Sequence, residues 1–173
     1  MEQQNKVSIR PGVSILTMLK HIQYDPWFAL AEFVDNAIDS YQKNGKLLKE
    51  IEGDKFQLEV KIEFNDIDNK ITIKDNAAGI HQKDYNRAFR AAEIPPDNSG
   101  LSEFGMGMKS AACWFSDNWC VRTSAIGENV EKIVSFDLNK IFYDKLEELD
   151  VTTKPQKENS HYTTIELTSI NKM

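Results

Sequence analysis

Cysteine is scarce in this chain. Cys113 and Cys120 are the only two among 173 residues, too few for a disulfide framework or a four-ligand zinc site. They read as reduced, buried, inert thiols of a cytoplasmic protein. Histidine is equally sparse: His21, His81 and His161 lie far apart with no metal-ligand spacing, so no metal or catalytic role is expected of them. No apolar run approaches the length of a membrane helix, and the opening MEQQNKVSIRPG carries no apolar signal core, so neither membrane insertion nor secretion is indicated. Positive charge is in deficit. Lys and Arg number 21 against 27 Asp and Glu, a net charge of −6 and a pI near 5.1. A domain this acidic is poorly suited to gripping nucleic-acid phosphates directly. What the chain does have is 40% hydrophobic and 10% aromatic residues, ample for a packed core and contrary to disorder. The length suits one domain, with residues 1–12 as a flexible lead-in and 13–173 as the folded unit.

The apolar periodicity changes along the chain. Residues 13–21 suit a short helix. From Trp27 to about Lys43, Phe28, Ala31, Val34, Ile38 and Tyr41 recur at spacings of three or four. That predicts a helix with Asp25 as N-cap, Pro26 in its first turn and an end at Asn44-Gly45. The period then becomes two. Phe56, Leu58, Val60, Ile62 and Phe64 alternate with polar residues, and after a turn at 66–69 the run KITIK reads as the partner strand of a hairpin. Helix returns over 81–92. A Pro- and Gly-bearing loop follows at 93–103, then a glycine-rich helix over 104–116. Trp119–Thr123, Ile133–Leu138 and Thr163–Leu167 read as strands, Asn139–Leu149 as an acidic amphipathic helix, and 152–160 as a polar loop. Trp27, Phe28, Trp114 and Trp119 are expected in the core. Helices mixed with antiparallel strands imply an α/β protein, a two-layer sandwich with helices on one face of the sheet.

Three clusters carry possible chemistry. In AEFVDNAIDS, Glu32 and Asn36 are four apart and share a helix face, while Asp35 and Asp39 share a neighbouring one. A carboxylate and a carboxamide so stacked can hold a water and a hard cation, though a solvated polar face has the same pattern. In IKDNAAGI, Asp75 ends a strand ahead of small residues and Gly79. It can accept a hydrogen bond from an exocyclic amine while a flat ring approaches the backbone; a plain turn fits as well. In FGMGMKS, two glycines open a helix with Lys109 in its first turn. Free backbone N–H groups there make a phosphate cradle, or simply a close-packed helix start. The run lacks the spacing of a Walker loop.

In this order the three segments resemble the GHKL ATPases, the superfamily of gyrase, heat-shock chaperones, histidine kinases and MutL, over about residues 25–170. AEFVDNAIDS is similar to their N-box, IKDNAAGI to their first glycine box and FGMGMKS to the second. Residues of about 92–104 fall where the family has its ATP lid. The Asp-Asn-Ala of the N-box and the Lys-Ser ending of the second box are most similar to MORC and related prokaryotic proteins. The resemblance implies a Bergerat fold binding ATP and Mg2+. Glu32 would be the general base, Asn36 the magnesium ligand, and Asp75 the acceptor of the adenine amine. Gly79 and Ile80 would lie against the base. Gly105, Gly107, Met108, Lys109 and Ser110 would form the phosphate turn, with Lys109 adding charge, and Thr163 would support the adenine. Two positions depart from the pattern. Ala77 replaces a glycine, so that its methyl would crowd the turn, and Tyr162 replaces the glycine before Thr163.

The resemblance implies ATP hydrolysis driving conformational change in the N-terminal module of a larger protein, slow in the isolated domain. Homodimerisation on ATP, a downstream transducer or protein partner, and contact with DNA only through other parts of that protein are implied with it. A protein kinase of the same fold, of the anti-sigma-factor or histidine-kinase type, and a non-catalytic nucleotide-gated interaction module stand as alternatives.

Overall fold

A computed structural model describes residues 14–90 and 106–171. The lead-in at 1–12, the lid segment and Gly105 therefore lie outside the described residues. The elements run α1 (Ser14–Leu19), α2 (Pro26–Glu52), β1 (Val60–Asn65), β2 (Lys70–Asp75), a 3₁₀ turn (Gln82–Asp84), α3 (Tyr85–Phe89), α4 (Gly107–Phe115), β3 (Asn118–Ser124), β4 (Val130–Asp137), α5 (Leu138–Tyr143), β5 (Val151–Pro155) and β6 (Tyr162–Thr168).

The strands form one six-stranded sheet in the order β1-β2-β6-β3-β4-β5, antiparallel throughout. β6 sits between β2 and β3 and joins two hairpins into a single sheet. One sheet face carries Ile71, Ile73, Trp119, Val121, Val134, Phe136, Ile165 and Leu167, all buried against the helical layer. Their period-two alternation places them together. Trp119 stacks flat on Phe136 with ring centroids 3.7 Å apart. The other face is polar, crossed by a Lys70–Glu166–Arg122 ion-pair chain in which Lys70 Nζ lies 2.7 Å from Glu166. This is the expected α/β sandwich. Among the described residues no helix is long and apolar enough to cross a membrane.

Helix α2 departs from its sequence reading in length and in face. It continues through Asn44-Gly45 to Gly53, whose N–H caps the helix by donating to the Lys49 carbonyl. A Cβ at Gly45 would meet only the Tyr41 ring, 3.8 Å away, so nothing there requires glycine. The buried positions are Ala29, Phe33, Ala37, Asp39 and Leu48, not the Phe28–Tyr41 stripe. Small residues let α2 lie close to α4, its main helical neighbour. Asp25 is the N-cap and Pro26 the first helical residue, without a side-chain capping bond. Trp27 and Phe28 are exposed and pair with each other, whereas Trp114 and Trp119 are core.

Other boundaries also move. β1 begins at Val60, because the Asn76 side chain takes over pairing with the stretch before it: Asn76 Oδ1 accepts from Glu59 N at 2.7 Å and Nδ2 donates to Gln57 O at 3.1 Å. Phe56 packs instead with Leu48, Ala78 and Ile126 in a second small cluster. α5 stops at Tyr143, after which Lys145 takes a positive φ of 52° and Leu146 turns back onto the core. The stretch expected as a loop after residue 152 instead contributes β5, an edge strand exposed along its whole length. It has no buried face, so it leaves no alternation to read, and Pro155 ends it, as proline can on an edge. Cys113 is buried, which pushes its thiol up to about 12. Cys120 is half-buried on a strand, and burial raises its thiol too.

Candidate functional site

A cavity of about 420 Å³ opens between α2, the end of β2, the turn after it, α3, α4 and β6. Asn36, Asp75, Gly79, Ile80, Met108 and Thr163 all line it. These residues come from every segment singled out in the sequence, and the sheet and helices bring them to one wall-to-wall space.

Asp75 is the last residue of β2 and lies opposite Thr163 in the register with β6. Its Oδ1 accepts from Ala77 N at 2.9 Å, and the Thr163 backbone also bonds to the carboxylate. Burial pushes the carboxyl up to about 6, against the downward pull of those two N–H groups and of His161. Thr163 Oγ1 lies 3.3 Å from Thr123 Oγ1, and the same Thr123 oxygen accepts from Ile80 N at 2.8 Å. Thr123 thus ties the residue beneath the cavity to the central strands. Nothing in the sequence of β3 marks it out, since a threonine in a strand is ordinary.

The turn from Asp75 to Ile80 shows which glycine is needed. Gly79 has φ +72°, and a Cβ there would lie 2.0 Å from the Ser124 carbonyl oxygen, so both conformation and space demand glycine. Ala77 does not have a positive φ. Its methyl is buried, its N–H serves Asp75, and its carbonyl lies 2.9 Å from His161 Nδ1. The turn therefore does not require a glycine conformation at Ala77. Strand alternation turns Tyr162 away from Thr163, to the polar sheet face beside Lys74 and Glu131.

On α2, Asn36 lines the cavity and Glu32 stands one turn before it. Asn36 Nδ2 donates to the Glu32 carbonyl at 2.7 Å, so Oδ1 is the atom that could ligate a cation. Glu32 is not among the cavity-lining residues. It sits beside α4, where a Cβ on Gly107 would fall 2.0 Å from Glu32 Oε2. Gly107 is therefore the space in which the carboxylate lies. Burial pushes the Glu32 carboxyl above its ordinary range, the neighbouring Asp35 charge adds to this, and a hydrogen bond from Tyr24 opposes it. The Tyr24 hydroxyl also contacts Ser110.

α4 begins at Gly107 with Met106 as its N-cap. Ser110 N already donates to Met106 O at 2.8 Å, so the helix-start donors are Gly107, Met108 and Lys109. The Lys109 side chain does not follow the sequence expectation of a charge facing phosphates. It is 1% exposed, and its Nζ donates to the Arg87 and Ala88 carbonyls, each at 3.0 Å. It secures the end of α3 to α4. Other cations do line the cavity: Lys43, in an ion pair with Asp39 at 2.8 Å, and Lys83 and Arg87.

The donor set bears on the metal. Among the described residues no group of three or more His, Cys, Asp or Glu is placed to hold an ion. One carboxamide oxygen, that of Asn36, at the cavity wall fits magnesium, which binds through few protein ligands together with phosphate and water oxygens.

A family model described as histidine kinase-, DNA gyrase B- and HSP90-like ATPase matches residues 24–171. No curated protein matches the chain by sequence. The family match spans most of the chain, and the described fold and cavity accord with it. The chain belongs to the histidine kinase-, DNA gyrase B- and HSP90-like ATPase family.

Proposed function

We propose that this domain binds Mg-ATP in the cavity and hydrolyses it to drive a conformational change. The observation that carries the reading is the convergence of Asn36, Asp75, Gly79, Ile80, Met108 and Thr163 on one cavity, with Glu32 one turn from Asn36 and set against Gly107.

The roles follow from the chemistry of each group. Ionised Asp75 accepts the adenine amine, and Thr163 supports it. Gly79 and Ile80 present a flat, close surface to the base. The N–H groups of Gly107, Met108 and Lys109 face the phosphates at the start of a helix, where the dipole favours negative charge. Gly105 would extend that turn, and the Ser110 hydroxyl would steady it through Tyr24. Asn36 would hold magnesium, whose charge offsets that of the phosphates when bound. Glu32, with its carboxyl raised by burial, takes the proton of the attacking water. The finer likeness to MORC and related prokaryotic proteins rests on Asp35-Asn36-Ala37 and Lys109-Ser110. The isolated domain turns over slowly in this reading, and ATP promotes its pairing with a second copy.

Calorimetry and phosphate release on two variants test the proposal. Asp75→Asn presents an amide to the adenine amine, and ATP affinity falls at least tenfold. Glu32→Ala keeps magnesium-dependent ATP binding and loses hydrolysis by about a hundredfold or more. Unchanged turnover in Glu32→Ala would remove Glu32 from catalysis. Transfer of the γ-phosphoryl group to a protein, with no release of phosphate, would replace hydrolysis by the kinase reaction. ATP binding without turnover in either direction would leave an interaction module.

A further inference from the structure

His161 lies one residue before β6 and has no partner with metal-ligand spacing in the sequence. In the fold its side chain is buried, with 6% exposure. Nδ1 is 2.9 Å from the Asn76 carbonyl oxygen and 2.9 Å from the Ala77 carbonyl oxygen. Nε2 is 3.1 Å from Glu52 Oε1. Both ring nitrogens therefore face only oxygen acceptors, and Nδ1, set between two backbone carbonyls that can only accept, is a donor. The Phe56 ring meets the imidazole edge-on, 5.8 Å away between centroids.

The two carbonyls belong to the turn that carries Asp75. Ala77 joins the two systems, since its N–H holds the Asp75 carboxylate while its carbonyl receives the imidazole. Glu52 is the last residue of α2, on the part of the helix beyond Gly45. The same stretch supplies Leu48, which packs under Ala78. Thus α2 presents Asn36 to the cavity, and its far end holds the turn after β2 through an imidazole.

We propose that His161 is a positioning residue for nucleotide recognition: it fixes the turn after β2 by donating to the Asn76 and Ala77 carbonyls, with Glu52 holding the ring, so that the Asp75 carboxylate is set to read the amine of an adenine base. The inference rests on the ATP reading above. His161 touches neither base nor phosphate and acts through Asp75. Glu52 on α2 contacts the ring, and the ring in turn acts on the Asp75 carboxyl on β2. A charge on the ring favours the ionised carboxylate that accepts the amine.

The experiment uses two amides that divide the imidazole's functions. His161→Asn places an N–H near the Nδ1 position, and His161→Gln places one near the Nε2 position. Affinities for Mg-ATP and Mg-GTP are measured by calorimetry, with thermal melting as the check on folding. In His161→Gln, ATP affinity falls about tenfold, and the preference for ATP over GTP shrinks by a similar factor. His161→Asn keeps ATP affinity within about threefold of the wild type, because the bond to the turn survives. Glu52→Gln, which keeps an acceptor for the ring, also stays within about threefold.

Equal ATP affinity in the wild type and both His161 variants overturns the inference, as does an equal loss for ATP and GTP, which marks general loosening of the domain. Should one His161 variant fail to fold, the other is read against Glu52→Gln, and a loss in His161→Asn as large as tenfold overturns the inference. A wild-type protein that binds no ATP overturns the nucleotide reading itself, a result distinct from the rest because it appears before any substitution is made.

Discussion

Asp75 illustrates how one side chain can serve folding and binding in opposite directions. Its carboxyl stands at about 6 in the folded protein, above its ordinary value. The folded state therefore holds this proton more tightly than the unfolded chain. That contribution to stability is fully present below the ordinary carboxylate range and is lost as pH rises through about 6, amounting to about 3 kcal/mol. Binding runs the other way, because only the ionised carboxylate accepts an amine. ATP affinity, measured by calorimetry between pH 5 and 8, should fall about tenfold from pH 7 to pH 5. A flat profile would remove Asp75 from base recognition. Gly107 supports a second expectation. In Gly107→Ala the added methyl meets the flexible end of Glu32, so the carboxylate moves and the fold persists. Hydrolysis should drop at least tenfold, while the melting free energy changes by less than about 1 kcal/mol. A phosphate-release assay beside a thermal melt checks both.

At this scale the sequence was informative about chemistry and silent about support. Glu32, Asn36, Asp75 and Gly79 were legible because carboxylates and glycines at such spacings suggest a use. Lys109 misled, because a lysine beside glycines suggests phosphate, and only packing reveals that two carbonyls of α3 claim it. His161 and Thr123 were invisible for the opposite reason. Their partners lie some 40 to 109 positions away in the chain, and no local pattern encodes such a contact.

At the scale of elements, α2 is the informative case. Its period marked a helix, but its end was placed at Asn44-Gly45 because glycine so often terminates one. Here glycine is simply carried within the helix at a local cost. The Cβ of Gly45→Ala would sit in ordinary contact with the Tyr41 ring, 3.8 Å away. The substitution should stabilise the domain by about 0.5 to 1 kcal/mol in urea denaturation. A destabilisation would show that the helix is strained there. β5 was missed because an edge strand exposed on both faces has no hydrophobic period to display. α5 was overextended because Leu146 and Leu149 supply the right spacing yet reach the core from a turn. Strands with one buried face, β2, β3, β4 and β6, were all recovered to within a few residues.

At the scale of the whole molecule, the cavity is walled by both layers of the sandwich. A nucleotide held there contacts helices and sheet together and binds only the assembled state. Mg-ATP at a hundred times its dissociation constant should therefore raise the unfolding free energy by about 2.7 kcal/mol. A thermal or urea titration reads this directly, and an unshifted transition at saturating ATP would contradict the proposed site.

The position of β6 sets an order of events. Among the described residues it is the last strand in sequence, yet it lies third in the sheet, between β2 and β3. As the polypeptide leaves the ribosome, the β1–β2 hairpin and the β3–β4–β5 meander can each form early, but they share no edge until residues 162–168 arrive between them. Until then β2 and β3 each present an unpaired edge, the kind of surface that recruits wrong partners. The strand that seals those edges also brings His161 and Thr163 to Asp75. A nascent chain thus gains the ability to hold a nucleotide in the same step that protects it from aggregation.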